Sequence, residues 1–162
     1  MALPAEGVVL QRHELAAWGQ AMRDSGRKVA FTNGCFDLIH GGHLASLDQA
    51  VSTADALVVA LNDDASVRQL KGAGRPVLAA EERAALIASL RQVSAVTIFA
   101  EPTPLAVINE LKPDVLVKGD EYAEEDIVGA TEVASWGGKV VRVPMVPGKS
   151  TTEIIAAIKA LP

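Results

Sequence analysis

The 162 residues predict an α/β fold: one domain (1–162) built on a doubly wound, five-stranded parallel sheet with helices on both faces. Three observations predict it. The length suits one domain with a sizeable core. Short runs rich in Val and Ile alternate with longer amphipathic stretches along the chain. The short runs are apolar on both faces, as strands buried between two helix layers must be.

Taken in order, "RHELAAWGQAMRDSG" (12–26) carries apolar residues at helical spacing, so residues 1–27 read as a helical extension ahead of a core over 28–162. "KVAFTN" (28–33) is the first expected strand and "HLASLDQAVSTA" (43–54) the helix after it. "DALVVALN" (55–62) is the second strand, followed by "NDDASVRQLKGAGRPV" (62–77), which reads as a polar loop carrying Arg68, Lys71 and Arg75. "AAEERAALIASLR" (79–91) is a helix, "AVTIFA" (95–100) a strand and "PLAVINELK" (104–112) a helix. "DVLVKG" (114–119) and "KVVRVP" (139–144) complete the strands, with helices over "DIVGATEVASWG" (126–137) and "TTEIIAAIKAL" (151–161). Gly26, Gly137 and Gly138 fall where helices should stop, and Pro102, Pro104 and Pro113 mark boundaries.

Composition narrows the function. A formal net charge of −5 argues against a nucleic-acid partner, which calls for a basic face. A phosphorylated small molecule needs only a local positive patch. A single cysteine, Cys35, supports no internal disulfide and suits a reducing cytoplasm. No apolar run approaches the ~18 residues of a membrane span. The opening "MALPAEGVVLQRHE" lacks a basic segment before an apolar one, so no signal peptide is expected.

In a doubly wound sheet ligands bind beyond the carboxyl ends of the strands, and the informative residues follow the strands. After the first come Asn33, Gly34, Cys35, Phe36 and Asp37, then His40-Gly41-Gly42-His43 opening a helix. A helix N-terminus offers free N–H groups and partial positive charge. Two imidazoles beside it can donate to phosphate oxygens, more strongly when protonated. One histidine capping the helix and the other packing is the structural alternative. Neither a dinucleotide G-x-G-x-x-G nor a Gly-Lys-Ser/Thr phosphate loop is present. A zinc site has only Asp37 or Cys35 nearby as a third ligand, so no protein metal site is expected. After the last strand, Lys149-Ser150-Thr151-Thr152 opens another helix, with hydroxyls beyond the needs of a simple cap. Asn62 and the Gly-flanked Lys71 follow the second strand, while Lys118, Gly119, Asp120, Glu121 and Tyr122 cluster after the fourth.

With these residues in view, the chain resembles the HxGH nucleotidylyltransferase superfamily and, within it, the heptose-1-phosphate adenylyltransferases. "NGCFDLIHGGH", "LNDDASVRQLKG" with "RPV", "KPDVLVKGDEY", "DIVGATEV", "GGKVV" and "GKSTTEII" carry the likeness from about Val29 onward. The resemblance implies a Rossmann-like core and transfer of AMP from ATP to a heptose 1-phosphate, giving ADP-heptose for lipopolysaccharide. It implies catalytic His40, His43 and Lys71. It also implies nucleotide contacts from Asn33, Gly34, Cys35, Phe36, Asp37, Gly42, Asn62, Gly119, Asp120, Lys149, Ser150, Thr151 and Thr152. Sugar contacts would come from Asp37, Lys118, Glu121 and Tyr122. Mg²⁺ is expected to arrive on the ATP phosphates, in a cytoplasmic homodimer of the stand-alone form without a fused kinase. The family usually reads Gly-Asp-Tyr where this chain has Asp120-Glu121-Tyr122. Related glycerol-3-phosphate cytidylyltransferases tend to carry an arginine where this chain has Met145, which counts against CTP. A cytidylyltransferase for a phosphorylated alcohol and a non-catalytic nucleotide sensor are the alternatives.

Overall fold

The computed structural model describes residues 7–162; the expectation about a signal peptide rests partly on residues 1–6 and lies outside them. The elements run β1 (Val8–Val9), α1 (Arg12–Asp24), β2 (Val29–Gly34), α2 (Gly41–Val51), β3 (Ala56–Asn62), α3 (Asp64–Lys71) and α4 (Ala80–Ala88). Then follow β4 (Ala95–Phe99), α5 (Leu105–Leu111), β5 (Val115–Gly119), α6 (Ala130–Ser135), β6 (Lys139–Val143) and α7 (Thr151–Lys159). The strands form one sheet in the order β1-β4-β3-β2-β5-β6, parallel throughout.

Every residue of β3 is buried, as a central strand covered on both faces requires. Alternate residues feed two apolar layers. Phe31, Val58 and Leu116 pack with Leu15 and Met22 of α1 and with Val107, Ile108 and Leu111 of α5. Leu57, Val59 and Leu61 pack with Leu47 of α2 and Ile87 of α4 on the other side. Each fully buried side chain of this size contributes roughly 1.5–3 kcal/mol relative to exposure.

Three expectations need correction. The sheet has six strands rather than five, because Val8 and Val9 pair with Ala95 and Val96. Two residues carry no legible alternation, but the pairing is anchored by Leu10 N–H to Val96 O (2.8 Å) and by the Thr97 hydroxyl to Leu10 O (3.1 Å). Residues 8–24 are therefore integral to the sheet and its core rather than an extension beside it. The expected loop at 62–77 contains α3: the Asp63 side chain caps it by accepting from Ser66 N (2.8 Å), and Val67 is buried beneath it. The helix expected over 126–137 is shorter. A 3₁₀ turn occupies Glu124–Asp126, and Gly129 at φ 91° turns the chain into α6.

From β2 the chain steps to β3 and β4 on one side, then crosses to β5 and β6 on the other. The switch point thus lies between β2 and β5. Those strands pair only through Ala30–Val115 and Phe31–Leu116. Beyond that register their carboxyl ends diverge and open a crevice, where ligands of such sheets bind.

Candidate active site

The crevice is a cleft of about 570 Å³. Among its walls is the segment joining β2 to α2, where two residues other than glycine sit in the left-handed region, Phe36 at φ 48° and Leu38 at φ 51°. Such strain persists where surrounding contacts over-determine the backbone. Five hydrogen bonds do so here. Arg83 donates to Cys35 O (2.6 Å), the Thr151 hydroxyl donates to Asp37 O, and the Asp37 carboxylate accepts from Arg75 Nε (2.9 Å), Val77 N (2.8 Å) and Leu78 N (3.1 Å). Burial opposes ionisation of Asp37, but those N–H groups and the guanidinium outweigh it and hold the carboxyl below its ordinary value. Asp37 is therefore committed to holding loops together, which narrows the phosphate- and sugar-binding roles that the resemblance implies for it.

His40 and His43 cap α2 reciprocally. His40 Nδ1 accepts from Gly42 N (3.0 Å) and His43 Nδ1 accepts from His40 N (3.3 Å). Their rings stack at 3.9 Å, with Phe36 5.1 Å from His43. An Nδ1 that accepts carries no proton, so each neutral ring bears its hydrogen on Nε2. Gly42 makes the stacking possible, since a Cβ there would meet the His40 ring at 2.9 Å and Lys149 Cβ at 3.0 Å. Burial, then Lys149, lowers the His40 pKa; burial, then His40, lowers that of His43 to about 4. Near neutral pH both rings are therefore held uncharged, each with its Nε2–H left to donate. An imidazole harder to protonate when folded makes acid favour unfolding between its two pKa values, here about 6.5 and about 4. Melting temperature should fall as pH drops through that window, and His43→Asn, which does not titrate, should fall less. Equal slopes would refute the shift.

α7 starts at the same cleft. The Ser150 hydroxyl accepts from Glu153 N (3.1 Å), an ordinary cap, and Thr151 holds Asp37. Of the three hydroxyls expected at phosphate, two thus have structural partners, while Lys149 and Thr152 also line the cleft. The first N–H groups of α2 and α7 lack helical acceptors, which leaves each N-terminus suited to an anion.

Lys71 ends α3, exposed, with Gly72 after it at φ 96°. At the switch point Lys118 Nζ donates to Asn33 Oδ1 (2.6 Å) and lies 5.8 Å from the centre of the Tyr122 ring. Asn62, buried, donates to the Ser66 hydroxyl (3.0 Å). Every residue expected to be catalytic or to contact nucleotide or sugar lines the cleft except Asp120, which is exposed and whose N–H bonds Val143 O (2.9 Å). Among the described residues no group of three His, Cys, Asp or Glu side chains is placed to hold a metal ion.

Sequence reasoning missed Arg83. It is fully buried and fans out from α4 to Cys35 O (2.6 Å), Leu78 O (3.0 Å) and Asp64 Oδ1 (2.8 Å). The signal was present: Ala80, Arg83, Ala84 and Ile87 form the buried stripe of α4, with an arginine where an apolar residue is expected.

A model of cytidylyltransferase-like proteins matches residues 31–157. That span includes both helix N-termini and the switch point. The chain belongs to the cytidylyltransferase-like family. It is 48% identical over 160 residues to bifunctional protein HldE of Gluconobacter oxydans, covering 99% of this chain and 33% of that protein. It is 56% identical over 133 residues to HldE of Paramagnetospirillum magneticum, covering 82% of this chain and 27% of that protein. This cytidylyltransferase-like chain spans about a third of the length of such relatives. A crystal structure of the lipopolysaccharide core biosynthesis protein from Thermoplasma volcanium superposes with a TM-score of 0.62 at 25% identity, covering 75% of this chain and 98% of that one.

Proposed function

We propose that the chain transfers AMP from ATP to D-glycero-β-D-manno-heptose 1-phosphate, releasing pyrophosphate. The observation that carries this reading is the reciprocally capped histidine pair, two preset N–H donors at one helix N-terminus with a second N-terminus in the same cleft. A phosphate oxygen of the sugar attacks the α-phosphorus of ATP; the new P–O bond forms as the bond to the β-phosphate oxygen breaks, and the electron pair leaves with pyrophosphate. The nucleophile is already an anion and needs no strong base, so catalysis rests on positioning and charge stabilisation. His40 and His43 donate to the triphosphate as charge builds at the α-phosphate. Lys71 closes on the phosphates, and α7 with Lys149 and Thr152 holds their far end. When bound, Mg²⁺ would come with the nucleotide and offset the charge of its phosphates. With Asp37 engaged by Arg75, Val77 and Leu78 and no three-ligand cluster among the described residues, His40, His43, Lys71 and Lys149 would hold the metal only through the phosphates they bind. The heptose acceptor is supported by the "LKGAGRPV", "VKGDEY" and "GKSTT" segments and by the 48–56% identity to HldE proteins. The same resemblance supports a cytoplasmic homodimer.

Pyrophosphate release measured for ATP, CTP and GTP against heptose 1-phosphate, glycerol 3-phosphate and flavin mononucleotide should peak with ATP and heptose 1-phosphate. Strong turnover of CTP with glycerol 3-phosphate overturns the acceptor and nucleotide assignments together. Binding of ATP without turnover of any acceptor returns the chain to a nucleotide sensor.

A further inference from the structure

Resting on that adenylyl-transfer reading, we propose that Lys118, steadied by Asn33, is the phosphate-binding residue of the acceptor subsite. It takes the monophosphate of the sugar phosphate rather than any phosphate of the nucleotide.

The placement comes from the sheet. Extending the β2–β5 register from Phe31–Leu116 sets Asn33 opposite Lys118, just where the strands part. The 2.6 Å hydrogen bond spans the mouth of the switch point. The other cations of the cleft are accounted for. Arg75 is paired with Asp37 (2.9 Å), while Lys71 and Lys149 are exposed and stand beside the α3 and α7 ends. Lys118 is partly buried, has no carboxylate within ion-pair distance among the described residues, and rests on a neutral amide. An ammonium withdrawn from water with only a neutral partner is an uncompensated charge, which an anion would complete. Burial lowers its pKa, with Glu121 opposing.

In-line transfer separates the two anions. Pyrophosphate departs on the side of the α-phosphorus opposite the entering oxygen. If the α2 and α7 N-termini hold the triphosphate, the acceptor phosphate needs its positive charge elsewhere. Lys118 is the remaining cleft cation suited to that. The chain after it supplies what a sugar requires, the Tyr122 ring for an apolar sugar face and the Glu121 carboxylate to accept hydroxyls.

Lys118→Met keeps the apolar stem and removes the charge. With the acceptor that is turned over, its KM should rise roughly 10- to 100-fold, as losing a charge-assisted hydrogen bond implies. The KM for ATP should stay within about threefold, and Lys118→Arg should recover part of the loss. The second measurement needs no turnover. With a non-hydrolysable ATP analogue saturating the parent, calorimetry should detect inorganic phosphate binding, and Lys118→Met should abolish it. A raised KM for ATP with an unchanged acceptor KM would place Lys118 on the nucleotide and overturn the proposal. Equal inorganic phosphate binding in parent and variant, or none in the parent, also overturns it. Failure of the adenylyl-transfer reading looks different: the parent then turns over no acceptor at all.

Discussion

His43→Ala is expected to lose on the order of 10²–10³ in kcat while binding ATP within a few fold of the parent. The ring holds Nε2–H ready because its Nδ1 accepts from His40 N (3.3 Å), so the donor needs no reorientation as negative charge develops. Truncation also frees the His40 N–H and removes the ring stacked on His40 at 3.9 Å. Losing that half of the cap costs about 1 kcal/mol of stability, a small fall in melting temperature. His43→Asn should recover part of the rate, because its amide oxygen can accept from His40 N while its NH₂ donates to phosphate. Measuring kcat and melting temperature on the same preparations separates the roles. A variant that is strongly destabilised but fully active per folded molecule would make His43 a packing residue.

The second large effect falls on a residue remote from any reacting atom. Arg83→Ala should destabilise the chain by roughly 3–5 kcal/mol, because it hollows a buried site and strips the Leu78 and Cys35 carbonyls of their donor. Arg83→Lys should recover little, since one ammonium cannot reproduce a planar fork reaching three acceptors. Asp64→Asn should cost under about 1 kcal/mol, as the Asp64 side chain is 37% exposed. Urea melts of the three variants test the order. Near-parental stability for Arg83→Ala would mean that the Cys35 turn is held by its other contacts alone.

What the sequence disclosed, and what it hid, follows from the range of the interactions. Strands β2 to β5 were legible because side chains buried on both faces leave a largely apolar run, while the edge strand β6 showed only through Val140, Val141 and Val143 between exposed Lys139 and Arg142. The two helix N-termini showed through local chemistry, glycines and hydroxyls next to the residues they serve. β1 was hidden because two valines make no pattern; only Ala95 and Val96, far along the chain, give them meaning. α3 was hidden by its polar composition, as a single buried Val67 and an Asp63 cap suffice once Arg83 holds Asp64. For Asp37 the resemblance implies nucleotide and sugar contacts, and its engagement with Val77 and Leu78 was hidden because it depends on contacts about forty residues away. The state of the imidazoles was likewise invisible, because it is set by which backbone N–H each ring accepts.

Asp37 joins three segments that the sequence scatters. Its carboxylate holds residues 75–78, its carbonyl holds the first residue of α7, and its own backbone leads into the histidines. The rim of the cleft therefore behaves as one cooperative unit, since freeing any one segment loosens the contacts that keep the others in place. What escapes this joint is the short stretch from Gly72 to Gly74, whose two glycines have φ 96° and 85°. Lys71, the last residue of α3, immediately precedes that stretch, so the lysine proposed to close on the phosphates adjoins a part of the rim that Asp37 does not tie down.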